Sequence, residues 1–540
     1  MRLLITAESA SSRKRRDVIV GYTPSSTVAD LETQLHEVLE GRRHADLSNV
    51  VELTSKRPGS PSSPQGGLYL GDRRLDPDEP ITTSGVRHGA VVGLGGPSSH
   101  RGEEPDGVVE IRISSGVGAG RVYRLGIGTS TIGNAAHCTI RLPAGPEIAV
   151  RLEVGPRGDI IVTPDPSTIG EEMAAPFRRE PATEPIMLSA STVTTRKRRR
   201  FGRKKNVESI LEQGESIDPT APLPLVRLER RPLTDGTVWE PGAVLGIGDI
   251  LLEHVPVTTA DASLSPAVAS PELDYNRPPR LHPAERVREF KLPTEPRRPD
   301  KMPIPIFMVL SPLLMSGTMF FVTRSMYSLM FMVMMPMMML LNMTGSRRQQ
   351  KRRYLDQLAE FHRRRADVEE AAVASLLDER SQRRGLYPDP ASVLLFATGP
   401  RARLWERRRW DPDFLVLRVG TSDVASDVIV KDSTREQHEG PLRWTAPDVP
   451  VAVPLATTAV LGIAGETADV HRTTSWLLAQ IATLPSPTDT RLWIFTSSRG
   501  AASWEWTKWL PHERAGDDHP RPVRLAHDED DRAAMIGELT

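Results

Sequence analysis

An almost uninterrupted apolar segment at residues 304–343 constrains this 540-residue chain more than any other feature. It consists of two runs, 304–322 and 326–343, and holds most of the chain's 17 methionines. At a helical rise of about 1.5 Å per residue, each run would reach ~27–29 Å, close to the ~30 Å hydrocarbon thickness of a bilayer. Arg324 separates the runs, and a charge near mid-bilayer costs a few kcal/mol. A turn at Arg324 therefore predicts a two-helix transmembrane hairpin, with a hairpin buried in protein as the alternative.

Basic residues flank this segment on both sides: Arg297, Arg298 and Lys301 precede it, and Arg347, Arg348, Lys351, Arg352 and Arg353 follow it. Because positive flanks stay on the cytoplasmic side, we expect both termini in the cytoplasm and a lipid bilayer as one partner. Residues 1–16 are charged and lack a long apolar core, so no signal peptide is expected there. The methionine run 334–339 has no neighbouring Cys or His, which favours lipid contact over copper binding.

Charge and cysteine content exclude several functions. Positive and negative residues balance at 69 each, so the chain has no overall field that would attract nucleic acid. Cys138 is the single cysteine, which excludes an intramolecular disulfide and a multi-thiolate zinc site. Four consecutive acids at 528–531 are interpreted as a solvated surface. We therefore predict no catalytic residue, no cofactor site and no metal site in the chain.

Residues 1–95 show the order strand, strand, helix, loop, strand, strand. Val28, Leu31, Leu35, Val38 and Leu39 share one helical face after a cap at Ser26 or Thr27. The strings LYLGDRRL and GVRHGAVVGL follow a loop of mostly Ser, Pro and Gly. This arrangement resembles the ubiquitin-like β-grasp fold. It lacks a free Gly-Gly tail, so the resemblance implies a docking module rather than a conjugated modifier.

Residues 107–260 are rich in short apolar runs typical of strands. The strings GRVYRL and TIGN resemble the opening of a forkhead-associated (FHA) β-sandwich, and residues 237–252 resemble its closing strands. The family binds phosphothreonine through an Arg after Ile-Gly, but here Asn134 follows Gly133, and the family's Ser and His are missing at 148–152. Losing that Arg removes a bidentate phosphate contact. We therefore predict a degenerate FHA loop at Arg121, Gly133 and Asn134.

A basic insertion at 166–220 divides this region. Either one sandwich is interrupted by the insertion, or a second partial copy occupies 220–260. The insertion carries eight basic residues: Arg196, Lys197, Arg198, Arg199, Arg200, Arg203, Lys204 and Lys205. Charge without periodicity predicts a solvated loop. Contact with anionic lipid headgroups is a second expectation, whereas nucleic acid is not expected because only Phe201 could stack on bases.

The remaining segments are a Pro-rich linker at 261–303, the hairpin at 304–343, a helical stalk at 344–385 and an α/β region at 386–540. The string RLWERRRWDPDFLVLRVG begins at Arg403. With the Met-rich hairpin, it resembles the FtsK/SpoIIIE-type membrane ATPase of actinobacterial type VII secretion systems. The predicted fold class is multidomain α+β: β-grasp, FHA-like sandwich, transmembrane hairpin, stalk and a degenerate NTPase-like α/β domain.

A phosphate-binding loop would need Gly-x-x-x-x-Gly-Lys-Ser/Thr, and no Gly-Lys pair occurs in the sequence. The nearest pattern is a turn with Gly462 and Gly465, between an apolar run and a predicted helix at 467–484. A strand at 491–496 would complete a βαβ-like unit. The resemblance implies that ATP and Mg²⁺ act in domains beyond residue 540. The chain is therefore expected to be truncated and not catalytic alone.

The leading functional hypothesis is the membrane-anchoring and regulatory N-terminal part of a type VII secretion ATPase in the inner membrane. The resemblance implies secretion-complex subunits as partners and homo-oligomers. One alternative is a membrane-tethered FHA adaptor that binds phosphothreonine. The other is a fragment of an FtsK-type DNA translocase, for which neither the motor nor the electrostatic attraction to DNA is present.

Overall fold

The computed structural model describes residues 1–39, 50–53, 66–99, 106–169, 224–297 except 269, 282 and 283, seven single positions between 310 and 322, and then 326–399, 401–432, 442–514 and 523–539. Two strand-rich units, a long helix and a mixed C-terminal unit follow one another. The chain is α+β.

The N-terminal unit is a six-stranded sheet with one helix packed against it. Its strand order is β3-β2-β1-β6-β4-β5, with β1 antiparallel to β2 and parallel to β6. Thr27 and Asp30 cap the helix reciprocally, because each backbone N–H donates to the other's side chain. The predicted apolar face of the helix is confirmed, since it packs into the core of the unit. The elements are β1 Arg2–Ser9, β2 Arg15–Gly21, α1 Val28–Leu39, β3 Val50–Glu52, β4 Leu68–Leu70, β5 Arg73–Arg74 and β6 Val91–Leu94.

The second unit is a sandwich of two sheets, ordered β10-β9-β11-β12-β15 and β14-β13-β16-β17-β7-β8. Both sheets contribute to one core, and alternation is clear in β11, where Val150, Leu152 and Val154 are buried between exposed residues. The elements are β7 Val109–Ser115, β8 Val122–Leu125, β9 Gly128–Gly133, β10 Ile140–Arg141, β11 Val150–Val154, β12 Ile160–Pro164, a 3-10 turn Pro166–Thr168, β13 Val226–Leu228, β14 Arg231–Pro232, β15 Thr237–Val238, β16 Val244–Ile247 and β17 Ile250–Pro256.

Strands from both sides of the 166–220 insertion share each sheet of this sandwich. β12 pairs with β15 in one sheet, and β7 pairs with β17 in the other. Residues 107–260 therefore form one interrupted sandwich, and the alternative of a second partial copy is wrong. Trp239 closes the core: it is 1% exposed, and its Nε1 donates to the carbonyl oxygen of Ala243 at 3.0 Å.

The segment predicted as a linker contains regular structure. β18 Ser263–Pro266 and β19 Leu273–Asn276 form an antiparallel hairpin. β20 Glu289–Lys291 pairs in parallel with a strand of the C-terminal unit. The chain is thus tied to the C-terminal unit before it reaches the long helix.

The predicted transmembrane hairpin is wrong. Residues from Met326 to Leu386 form one helix, α2, of 61 residues, so the second apolar run and the stalk are a single element. In the parts of the chain described above, no helix is long and apolar enough to cross a membrane. The two-helix inner-membrane location with both termini in the cytoplasm is overturned with it. The error arose because each apolar run was judged alone, whereas hydrogen bonding continues the helix from the second run into its Arg-rich part.

The C-terminal unit begins where α2 ends. Its sheet consists of β20, β21 and β22, and the base of α2 packs on it through Ala372, Val428 and Trp444. The adjacent helix buries Leu477 and Ile481 against Leu417. The elements are α3 Pro390–Thr398, β21 Val416–Lys431, β22 Leu442–Pro454, α4 Leu455–Thr458, α5 Thr467–Thr483, β23 Ile494–Phe495, α6 Ala501–Trp504, a 3-10 helix Glu505–Trp509, β24 Leu525–Ala526 and α7 Glu529–Leu539.

Candidate functional site

The glycine turn at 459–465 does not lie in a nucleotide-binding arrangement. It follows α4, and β22 before it runs antiparallel to β21. β23 pairs in parallel with β24 and not with β22, so the predicted βαβ unit does not form among the described strands. Gly462 has no atom within 4 Å of where a Cβ would stand, and Glu466 provides no side-chain cap for α5.

The predicted FHA loop at Arg121, Gly133 and Asn134, called the sandwich loop below, is held together by a fourth residue, Arg141. Gly133 must be glycine, because a Cβ there would lie 2.1 Å from the carbonyl oxygen of Glu147. Arg121 Nη1 donates to the carbonyl oxygen of Arg141 at 3.4 Å, and Arg141 Nε donates to that of Asn134 at 3.4 Å. Sequence reasoning missed Arg141. The short strand β10 could have indicated Arg141, because β10 pairs in parallel with β9 and places Arg141 beside Gly133.

Two other predicted features provide little evidence for a functional site. The basic loop at 196–205 lies outside the described residues, so its contact with anionic lipid stays a prediction. His527, Asp528 and Asp531 have ligand atoms within 4.8 Å of one another at the start of α7, and they are exposed or half-buried. This is the acidic stretch that we interpreted as a solvated surface, and exposed carboxylates commonly gather without an ion.

The most extensive polar structure is a junction between the sandwich, the base of α2 and the β21–β22 hairpin. Arg230 of the sandwich pairs with Asp423 at 2.7 Å and lies 3.6 Å from Asp448. Arg380 of α2 pairs with Glu229, and Arg384 donates to the carbonyl oxygen of Gly242 at 3.3 Å. Because both partners are partly withdrawn from water, such pairs are costly to break singly.

A half-buried pair also belongs to this junction. Arg384 is 4.0 Å from Glu253 of β17. Burial raises the pKa of Glu253, with the Arg384 charge opposing that shift. Burial likewise lowers the pKa of Arg384, although Glu253 counteracts it. The junction was not predicted, because its partners are far apart in the sequence: Arg230 and Glu253 belong to the sandwich, Arg380 and Arg384 to α2, and Asp423 to β21.

The Arg-rich string that carried the family resemblance has a structural role. Arg407 is 1% exposed, and its Nε lies 3.2 Å from Asp413, which also accepts hydrogen bonds from Arg280. Although burial raises the pKa of Asp413, Arg280 and Arg407 hold that pKa below its usual range. Arg280 precedes α2 in the chain, so this cluster fastens the linker segment to the C-terminal unit.

The N-terminal sheet is fixed to the same assembly. Lys508 of the C-terminal unit pairs with Asp17 at 2.8 Å. His88 Nδ1 accepts from the backbone N–H of Leu4 at 3.0 Å, and its Nε2 lies 3.4 Å from Glu272 in the β18–β19 hairpin. Burial lowers the pKa of His88 to about 3, so the imidazole is neutral at physiological pH. The N-terminal unit is therefore joined to the C-terminal unit and to the β18–β19 hairpin.

Comparison with known proteins points to one class, the EccC components of ESX secretion systems. Mycobacterium tuberculosis EccC4 is 30% identical over 141 residues, which cover 24% of this chain and 11% of that protein. Mycobacterium tuberculosis EccC3 is 30% identical over 197 residues, covering 34% of this chain and 15% of that protein. Thermomonospora curvata EccC is 32% identical over 147 residues, covering 25% and 11%.

These relatives confirm the resemblance to type VII secretion ATPases, although the matches span only 11 to 15% of the relatives' lengths. No family model matches the chain. Among solved structures, the FHA domain of a Chlamydia trachomatis protein is 12% identical and covers 28% of this chain and 99% of its own, with a TM-score of 0.17.

Proposed function

We propose that this chain is an assembly and regulatory part of a type VII secretion ATPase. The observation that carries this proposal is the similarity to EccC proteins. It is combined with Arg–carboxylate contacts that join the sandwich to α2 and join both the sandwich and the linker segment to the C-terminal unit. Such a fastened set suits a platform that holds secretion-complex subunits in register. Secretion-complex subunits are the partners that the relatives suggest, and further copies of the chain are part of the proposal.

The proposed role does not include ATP hydrolysis by this chain alone. The sequence has no Gly-Lys pair to supply a phosphate-binding lysine. The turn with Gly462 and Gly465 is open and follows a short helix rather than a parallel strand. Purified chain incubated with ATP and Mg²⁺ should therefore release no phosphate above the buffer rate. Robust turnover would overturn this part of the proposal.

The assembly role is tested in the bacterium that encodes the chain. Deleting the coding segment should abolish export of the proteins that its type VII system secretes, and the wild-type chain should restore it. A charge reversal in the junction, Asp423→Arg, should restore export poorly, because it places two cations together at Arg230. The matched control is Glu360→Gln on the exposed part of α2, which should restore export fully.

Co-purification provides the second readout. Tagged wild-type chain should recover the secretion-system subunits encoded with it, and the Asp423→Arg variant should recover them in reduced amount at equal expression. Unchanged export after deletion, together with recovery of none of those subunits, would refute the assembly role.

A second candidate function rests on the sandwich loop. Arg121 and Arg141 are exposed and stand beside Asn134, so the loop offers two guanidinium groups where the family's phosphate contact is missing. Fluorescence anisotropy with phosphothreonine peptides and their unphosphorylated counterparts tests phosphopeptide binding. Tighter binding of the phosphorylated form, lost on Arg141→Met, would favour the adaptor function.

A further inference from the structure

A large cavity lies where the sandwich meets the C-terminal unit. Its volume is about 960 Å³, at the upper end of the range of roughly 300–1,000 Å³ typical of small-molecule sites. It is lined by the turn between β7 and β8, by α3 and α5, by residues 418–421 of β21 and by the 3-10 helix Glu505–Trp509. Neither unit encloses this space alone. The cavity therefore exists because the units are docked.

Most of the cavity wall is apolar and aromatic. Leu394 and Ala397 of α3, Trp476 of α5 and Trp506 contribute to it. The Trp476 ring is held in place, since its Nε1 donates to the backbone carbonyl oxygen of Arg418 at 2.7 Å. A fixed aromatic wall favours a ligand with an apolar or aromatic body.

One wall residue is a buried cation whose hydrogen-bond partners are neutral. Arg418 is 6% exposed, and its guanidinium donates to the carbonyl oxygen of Tyr387 at 3.1 Å and to Thr421 Oγ1 at 2.7 Å. These contacts use two of its five N–H donors. In the described parts of the chain, Arg418 has no carboxylate within salt-bridge distance, although buried arginines usually pair with one.

Asp389 and Glu253 are the acids whose charges act on Arg418 at longer range, and each is engaged by another group. Asp389 accepts from the backbone N–H groups of Ala391 and Ser392 and caps α3. Glu253 faces Arg384. Among the cavity's other charges, Arg472 is paired with Asp469 on α5, and Asp249 in the turn between β16 and β17 also lines the wall. The cavity thus offers one buried guanidinium beside an aromatic surface, which suits a single negative charge better than a phosphate dianion.

We propose that this cavity binds an apolar monocarboxylate, with the carboxylate on Arg418 and the body along Trp476 and Trp506. This site goes beyond the proposed assembly role. Two sources have the required chemistry: a free aromatic or aliphatic acid, and the C-terminal carboxylate of a peptide with an apolar end.

The test uses the purified full chain and two matched probe pairs. The free-acid arm compares 4-phenylbutyrate with its uncharged amide. The peptide arm compares the tetrapeptide Gly-Gly-Leu-Trp with a free and with an amidated C-terminus. Calorimetric titration should show at least one carboxylate binding about tenfold or more tightly than its amide, as expected for hydrogen bonds to a charged group. The arm that shows the difference identifies the source.

Two variants and a control make the test specific. Arg418→Met should reduce carboxylate affinity by about tenfold or more and leave amide affinity unchanged. Ala397→Trp fills the cavity from an exposed helix position and should abolish binding of both probes without unfolding the chain. The control, Thr398→Trp, is exposed on the same helix outside the cavity wall and should bind as wild type. Equal affinity for acids and amides, no binding in either arm, or binding that survives Ala397→Trp would overturn the proposal.

Discussion

Replacing Glu513 by Gln should remove a pH-dependent loss of stability from the C-terminal unit. Glu513 is fully buried, and neither carboxylate oxygen has a hydrogen-bond partner in the described residues. The nearest hydroxyl, that of Thr507, donates instead to the carbonyl oxygen of Trp504 at 2.8 Å. Burial raises the pKa of Glu513 from the ordinary value of 4.5 to about 7. The folded chain therefore keeps this proton at pH values where the unfolded chain has released it.

The magnitude follows from the two pKa values. Between pH 4.5 and 7 the folded state binds more protons than the unfolded state, so the free energy of unfolding falls as pH rises through that window. Burial of Glu513 lowers the free energy of unfolding by about 3 kcal/mol above pH 7 and by about 1 kcal/mol at pH 5. His512 acts in the opposite direction, because burial lowers its pKa to about 4 and its contribution to stability grows between pH 4 and 6.5. The wild-type chain and the Glu513→Gln variant both contain His512, so its contribution cancels when their free energies of unfolding are compared.

Urea unfolding followed by tryptophan fluorescence measures the effect, since all but one of the nine tryptophans lie after residue 400. Glu513→Gln should stabilise the unit by about 2 kcal/mol more at pH 8 than at pH 5. The control is Glu529→Gln, an exposed acid on α7, which should change stability by less than about 0.5 kcal/mol at either pH. An equal effect of Glu513→Gln at both pH values, or destabilisation at pH 8, would refute the reasoning.

Gly133→Ala should destabilise the sandwich by about 2–4 kcal/mol in thermal unfolding, because its Cβ would meet a backbone carbonyl oxygen at 2.1 Å. Gly126→Ala, with nothing within 4 Å, should stay within about 0.5 kcal/mol, and similar losses for both would contradict the close approach. At the junction, a double-mutant cycle of Arg230→Met with Asp423→Asn should give a coupling energy of about 1–2 kcal/mol, since both side chains are largely buried. The exposed pair of Arg364 and Glu360 on α2 should give about 0.5 kcal/mol or less, and equal couplings would argue against a structural junction.

Local patterns predicted local structure well. Helix α1 was predicted because apolar residues recur at helical spacing after a capping Thr, and capping and burial both depend on neighbouring residues. The strands of the sandwich were found for a similar reason, since alternate residues of β11 point into the core. The pairing of β7 with β17 could not be read in the same way. It depends on strands that are far apart in sequence and whose patterns fit more than one partner.

The wrong and missed features depend on structure that a local stretch of sequence does not contain. A window of apolar residues at 304–343 contains no information about where a helix ends, and the structure continues α2 to Leu386. The junction contacts were not predicted, because Glu229, Asp423 and Asp448 lie far from their arginine partners in the sequence. Arg407 and Asp413 were noticed only as part of a distinctive string, whereas the structure shows that they form a buried ion pair. Charge pairs between units need tertiary structure before they can be assigned.

The interrupted sandwich also determines when this protein can fold during its synthesis. Ser114 at the end of β7 donates to the carbonyl oxygen of Leu251, 137 residues later. At roughly 5–20 residues per second, a ribosome needs ~7–30 s to make the intervening chain. Throughout that interval β7 lacks its neighbour β17. The nascent chain therefore presents an unpaired strand edge that a chaperone can occupy.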